Sequence, residues 1–129
     1  MSQNDFNALE RAPVRRASAF SLDEAARANR AHRNVVYTDA HHQVALMSVS
    51  LAVPYERHLY SSQSVHVADG QAVVTIDGAT VALGPGQAVF VPAGAMHRID
   101  NAGSNLLKIW VTYSPPVHGP LDYQRVRGQ

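Results

Sequence analysis

The chain has 129 residues, 46% of them hydrophobic, and carries 11 basic against 10 acidic side chains. This length suits one domain, which can bury roughly two thirds of its unfolded surface; a net charge of +1 supplies no field to steer nucleic acid or an anionic membrane. No cysteine is present, so disulfides, thiolate metal sites and cysteine nucleophiles are excluded, and any metal must be held by imidazole, carboxylate or amide oxygen.

Residues 1–20 are polar and rich in small side chains, with Arg11, Arg15 and Arg16 around Pro13. No period runs through them, and the expectation is a poorly ordered, solvated arm. The N-terminus lacks the apolar core of a signal peptide, and no run approaches 18 apolar residues. A soluble, cytoplasmic protein without membrane or nucleic-acid partners is expected. Ser21-Leu22-Asp23-Glu24 forms a capping box, and the alanine-rich stretch from Ala25 to Ala31 favours a short helix.

From Val35 onward the apolar pattern has period two, through Val36, Val44, Leu46, Val49 and Leu51. Further runs follow at Val65–Val67, Ala72–Ile76, Thr80–Leu83, Ala88–Val91 and Leu106–Tyr113, punctuated by Gly, Pro, Asn and Asp. Asp77-Gly78 lies between two of these runs and signals a type I′ hairpin, because its glycine accepts a positive φ. Gly84-Pro85-Gly86 marks a second tight turn, and Ser114-Pro115-Pro116 ends the last run. Seven or eight short strands at this spacing predict an all-β antiparallel sandwich or barrel in place of a βαβ sheet. Along the last run Lys108 and Trp110 alternate with Leu107, Ile109 and Val111, which puts Trp110 on the outer face. A homodimer contact or cover by the N-terminal segment follows from that position.

Glu56 and His58 are two apart and share one face of a strand. Gln63 follows after a gap that fits a tight turn, sharing its face with Val65 and Val67 while His66 points the other way. The three residues can converge from two adjacent strands. A carboxylate, an imidazole and an amide oxygen form a mixed N/O set suited to Zn, Fe, Mn, Co or Ni. Alone, such a Glu-x-His pair is more often a surface feature. The second stretch, Gly86 to Asn101, adds a turn glycine, a buried run, a Pro92-Ala93-Gly94 corner and His97. The corner delivers His97 to the start of a new strand.

The spacing Gly86-x5-Pro92-x-Gly94-x2-His97-x3-Asn101 resembles the second motif of the cupin family at every fixed position. Glu56-x-His58-x4-Gln63-x6-Gly70 resembles the first, except that the commoner pattern has His where Glu56 stands and Glu where Gln63 stands. Val35-Val36-Tyr37-Thr38 and Ile109–Pro116 also resemble a branch of small single-domain cupins that uses this E-x-H…Q…H set. The resemblance implies a double-stranded β-helix, or jelly-roll barrel, over residues 34–116. Before it stand an arm and short helix (1–33), and after it a tail (117–129). It also implies one divalent transition metal held by Glu56, His58, Gln63 and His97. The carboxylate has changed position, but the ligand charge offered to the ion is the same.

His41 and His42 are expected to be exposed, His66 to lie on the outer face, Arg57 to point away from the site, His32 to have no site role, and His118 to lie in the tail. Tyr60, in the turn after His58, is placed to line a mouth. Glu56, Tyr60 and Tyr113 are the acid–base candidates. The expected function is a metal-dependent enzyme acting on a small molecule inside the barrel, as a Lewis-acid isomerase, cyclase or decarboxylase or as a non-haem dioxygenase. The alternative is a non-catalytic ligand-binding or structural module.

Overall fold

A computed structural model describes residues 19–118. Of the arm expected over residues 1–20, residues 1–18 lie outside the described residues, as does the tail beyond His118. Helix α1 spans Leu22–Ala28. Ser21 Oγ accepts the Glu24 backbone N–H at 3.1 Å, which satisfies one of the donors a helix start leaves open. The cap fixes the start at Leu22, three residues before the expected alanine run. The helix ends at Ala28 because Asn29 is extended (φ −68°, ψ 135°) and turns its side-chain amide to the Ala31 carbonyl at 2.7 Å.

Nine strands follow among the described residues: β1 (Asn34–Thr38), β2 (Gln43–Val49), β3 (Ala52–Arg57), β4 (Ser62–Asp69), β5 (Ala72–Ile76), β6 (Ala79–Leu83), β7 (Ala88–Val91), β8 (Met96–Asn101) and β9 (Leu107–Ser114). They form two sheets, ordered β1-β2-β9-β4-β7 and β3-β8-β5-β6, with every pairing antiparallel. The number exceeds the expected seven or eight because the period-two region from Val35 is broken twice. At residues 39–42 the Asp39 carboxylate and backbone close a turn, and Ser50-Leu51 carry the chain from the larger sheet to the smaller. Asp77 (φ 47°) and Gly78 (φ 87°) are both left-handed, as a type I′ turn requires.

Val35, Met47, Val65, Val67, Val74, Ile99, Leu107, Ile109 and Val111 fill the space between the sheets. A smaller cluster of Ala26, Val36, Leu46 and Ala68, with Leu22 and Trp110 against it, joins α1 to the outer face of the larger sheet. The alternation of β1 is visible here: Val35 enters the inner cluster and Val36 the outer one. Trp110 is indeed off the core face, and the helix covers part of it. Its indole N–H donates to Asp23 at 2.9 Å, and the His66 ring stacks on it at 3.6 Å. Lys108, beside it, reaches the Asn29 carbonyl and Ser48 Oγ, so the segment before β1 is fastened to the same face.

Candidate metal centre

Strands β3 and β8 are neighbours, and their register sets Glu56 opposite His97. His58 stands one residue past the end of β3. Its carbonyl accepts the Gly94 N–H at 2.8 Å. The Ala95 N–H in turn donates to the Pro92 carbonyl at 3.1 Å, and Gly94 takes φ 84°, a conformation that glycine adopts without strain. The Pro-x-Gly corner is thereby pinned to His58 and aims His97 at Glu56.

The result is a cluster in which Glu56, His58 and His97 each offer one ligand atom, all within 4.8 Å of one another. Glu56 Oε1 is 3.6 Å from His58 Nε2 and 3.8 Å from His97 Nε2; the two imidazole rings are 5.3 Å apart. His97 is 1% exposed. Its Nδ1 lies 3.3 Å from the Ala95 carbonyl oxygen. A carbonyl only accepts, so Nδ1 carries the proton and Nε2 presents a lone pair. The Nε2 atoms of His58 and His97 are buried without hydrogen-bond partners, an unfavourable state that a metal ion relieves.

The spacing fits such an ion. Ligand atoms about 2.1 Å from a tetrahedral zinc are about 3.4 Å from each other, and the two separations from Glu56 Oε1, 3.6 and 3.8 Å, need to shrink by only a few tenths of an ångström. The charges also fit. The neighbouring His58 imidazole is the main influence holding the Glu56 carboxyl below the usual range, and Arg33 and His97 add to it against the effect of burial. Burial pushes the His97 imidazole down, which favours the neutral, ligating form.

Gln63 occupies a different wall. The expectation that Glu56, His58 and Gln63 meet from two adjacent strands is corrected, because the turn after His58 crosses between the sheets. Strand β3 belongs to the smaller sheet and β4 to the larger. Gln63 still points inward: it is 4% exposed, and its Oε1 is buried with no hydrogen-bond partner. It pairs across the sheet with Tyr113, whose ring meets His58 edge-on at 5.5 Å.

Tyr60 is 85% exposed, and nothing among the described residues joins its phenol to the cluster. Tyr113 is fully buried, and burial drives its phenol well above the ordinary tyrosine range, so it stays protonated. His41 and His42 are exposed, as is Arg57, and His66 lies outside on Trp110.

Two neighbours of the site escape the sequence reading. Arg33, half-buried, acts on both Tyr113 and Glu56. His118, expected only as part of the tail, sets its ring 5.0 Å from that of Tyr113. Buried Gln43 holds the segment there: its Oε1 accepts the Val117 and His118 N–H groups at 3.2 and 3.0 Å, and its Nε2 donates to the His118 carbonyl at 2.6 Å. A polar residue inside β2 is the trace of that clamp in the sequence. Arg33 has a trace too, since it precedes inward-facing Val35 by two.

Comparison with known proteins agrees with this architecture. The cupin domain family matches residues 44–113. The uncharacterized protein YrkC of Bacillus subtilis is 28% identical over 106 residues, covering 76% of this chain and 57% of YrkC. The uncharacterized protein L612 of Acanthamoeba polyphaga mimivirus is 29% identical over 102 residues, covering 73% of this chain and 64% of L612. The chain thus spans less than two thirds of the length of either relative. The crystal structure of BH2720 from Bacillus halodurans superposes with a TM-score of 0.77 at 28% identity, covering 81% of this chain and 85% of that one. Among the described residues, no helix is long and apolar enough to cross a membrane.

Proposed function

The chain belongs to the cupin domain family, and from that premise we propose that it is a metal-dependent enzyme that binds one divalent transition metal and transforms a small molecule between its two sheets. The observation that carries the reading is the convergence of Glu56 Oε1 with two buried, unpartnered imidazole nitrogens. Glu56, His58 and His97 would hold the ion, and Gln63 would approach from the opposite wall with its amide oxygen. When bound, the ion supplies a Lewis acid, or a site for O₂ if it is iron or manganese.

The remaining work falls to the chain's own groups. The Ala95 carbonyl keeps the His97 proton on Nδ1 and leaves Nε2 free to ligate. The apolar residues between the sheets limit water around the cluster. Tyr113, held protonated, offers a hydrogen bond to an oxygen of the bound molecule, and Glu56 is the one anion of the cluster. The reading comes down to two measurements on the purified protein: elemental analysis, and mass spectrometry of small molecules released on denaturation. About one transition metal per chain is expected. Protein prepared in metal-replete medium and found free of metal would overturn the reading. A metal with four protein ligands and no open position would favour the non-catalytic module.

A further inference from the structure

Arg33 stands immediately before β1 and two residues before Val35, whose side chain belongs to the inner cluster. The Ala31 carbonyl accepts the Ser48 N–H at 3.2 Å, so the chain runs beside β2 before the strand proper begins. In extended backbone a two-residue offset repeats the face, and Arg33 turns inward like Val35. Its Nε is buried and makes no hydrogen bond. Among the described residues no carboxylate lies within ion-pair distance of it. Its guanidinium instead lies in the neighbourhood of the Tyr113 hydroxyl and acts as a charge on Glu56. The Tyr113 hydroxyl is itself buried without an acceptor.

A half-buried cation with no carboxylate in contact is costly, because it loses hydration and makes no ion pair in return. Here it stands beside a buried hydroxyl that also lacks an acceptor, and both donors border the Glu56–His58–His97 cluster. We propose that Arg33 and Tyr113 form the seat of a carboxylate group of the bound molecule, so that the substrate is a small organic acid whose other end reaches the metal. The proposal deepens the metal-enzyme reading and rests on it. The planar guanidinium fork matches a carboxylate, and the phenol supplies a further donor. With a divalent ion in place, Arg33 and Glu56 cancel and the site keeps the ion's two positive charges. A dicarboxylate neutralises them, and a neutral ligand leaves them exposed.

The test compares malonate with its uncharged analogue malonamide by calorimetry on zinc-loaded protein, with zinc content measured for every variant. Wild type should bind malonate at least tenfold more tightly than malonamide. Arg33→Gln should lose at least tenfold in malonate affinity, with malonamide affinity and zinc content unchanged, and Arg33→Lys should fall between. Tyr113→Phe removes only an oxygen that has no partner, so it should fold normally and lose malonate affinity a few-fold. Equal malonate affinity in Arg33→Gln and wild type overturns the seat, as does a wild type that does not distinguish the two probes. Absence of zinc from the wild type would overturn the metal reading alone. The same comparison on the metal-free protein then decides the seat.

Discussion

Metal should raise thermal stability, and His97→Ala should abolish that rise. A ligand that binds only the folded protein stabilises it by about 2.7 kcal/mol at a free concentration one hundred times its Kd. Unfolding breaks up the site, because β3 and β8 alone bring Glu56 opposite His97. Each kcal/mol moves the Tm of a domain of about 100 residues by roughly 4–8 °C, so zinc at that concentration should raise Tm by roughly 10–20 °C. Little of the binding energy is spent on ordering, since the 3.6 and 3.8 Å separations are already close to those of a tetrahedral site. Removing a ligand should weaken binding by at least about 100-fold, the upper end of what loss of an outer hydrogen-bond partner costs. At the same free zinc the stabilisation then falls to about 0.4 kcal/mol, a shift under about 3 °C. The assay is differential scanning fluorimetry at fixed pH with and without buffered zinc, each variant compared with its own metal-free baseline. That baseline matters because deleting a buried imidazole leaves a cavity. Glu56→Gln, nearly isosteric and partly exposed, provides a second variant that should lose the shift without a cavity. No zinc-dependent rise in wild type, or an undiminished rise in His97→Ala, refutes the reasoning.

Gln63→Glu should tighten metal binding at least about tenfold, or ~1.4 kcal/mol, by facing the ion with a second carboxylate; unchanged affinity in a competition titration would show that Gln63 does not face the ion. Burial lowers the His66 pKa, and the Asp23 charge opposes this only in part. A histidine whose folded pKa lies below its unfolded value adds stability above about pH 6.5, and that stability is lost as pH falls through the folded pKa. Fluorescence of Trp110, the chain's one tryptophan, should therefore titrate below pH 6.5. A wild-type curve identical to that of His66→Asn rejects this assignment. We also propose a homodimer formed through the outer face of the larger sheet at its β7 edge, where Phe90 is 74% exposed and lies 6.5 Å from His66. Wild type should sediment as a dimer and Phe90→Asp as a monomer; a monomeric wild type at high concentration rules it out.

The fold was legible because its signals are local and agree with one another. The Asp77-Gly78 turn, the alternating valines and the Pro92-x-Gly94 corner each constrain the backbone within a few residues. What escaped is what depends on sheet membership. Period two places Glu56 and His58 on one face, but does not reveal that the turn after His58 crosses to the other sheet, carrying Gln63 to the facing wall. Nor does it reveal that buried Gln43 exists to clamp residues 75 positions away, or that Arg33 and His118 arrive beside Tyr113 from opposite ends of the barrel segment. Tyr60 was the attractive tyrosine because it is near His58 in sequence. Tyr113 is the tyrosine near it in space, delivered by the register of β9 against β4.

That Glu56 stands where the commoner cupin pattern has His, and Gln63 where it has Glu, has a consequence beyond the metal. Glu56 lies on the smaller sheet with His97, so the negative charge of the cluster sits on that side. Gln63 leaves the facing wall, with Tyr113 as its cross-strand partner, electrically neutral. Arg33 acts on that same Tyr113. A carboxylate at position 63 would stand next to the phenol and within the field of the guanidinium, competing with the substrate for both donors. Glutamine gives no such competition, so Arg33 keeps its charge for an incoming acid. Gln63→Glu should therefore change the two affinities in opposite directions, strengthening the metal and weakening malonate. A general loosening of the fold would weaken both, so opposite signs distinguish a rearrangement of charge from damage to the barrel.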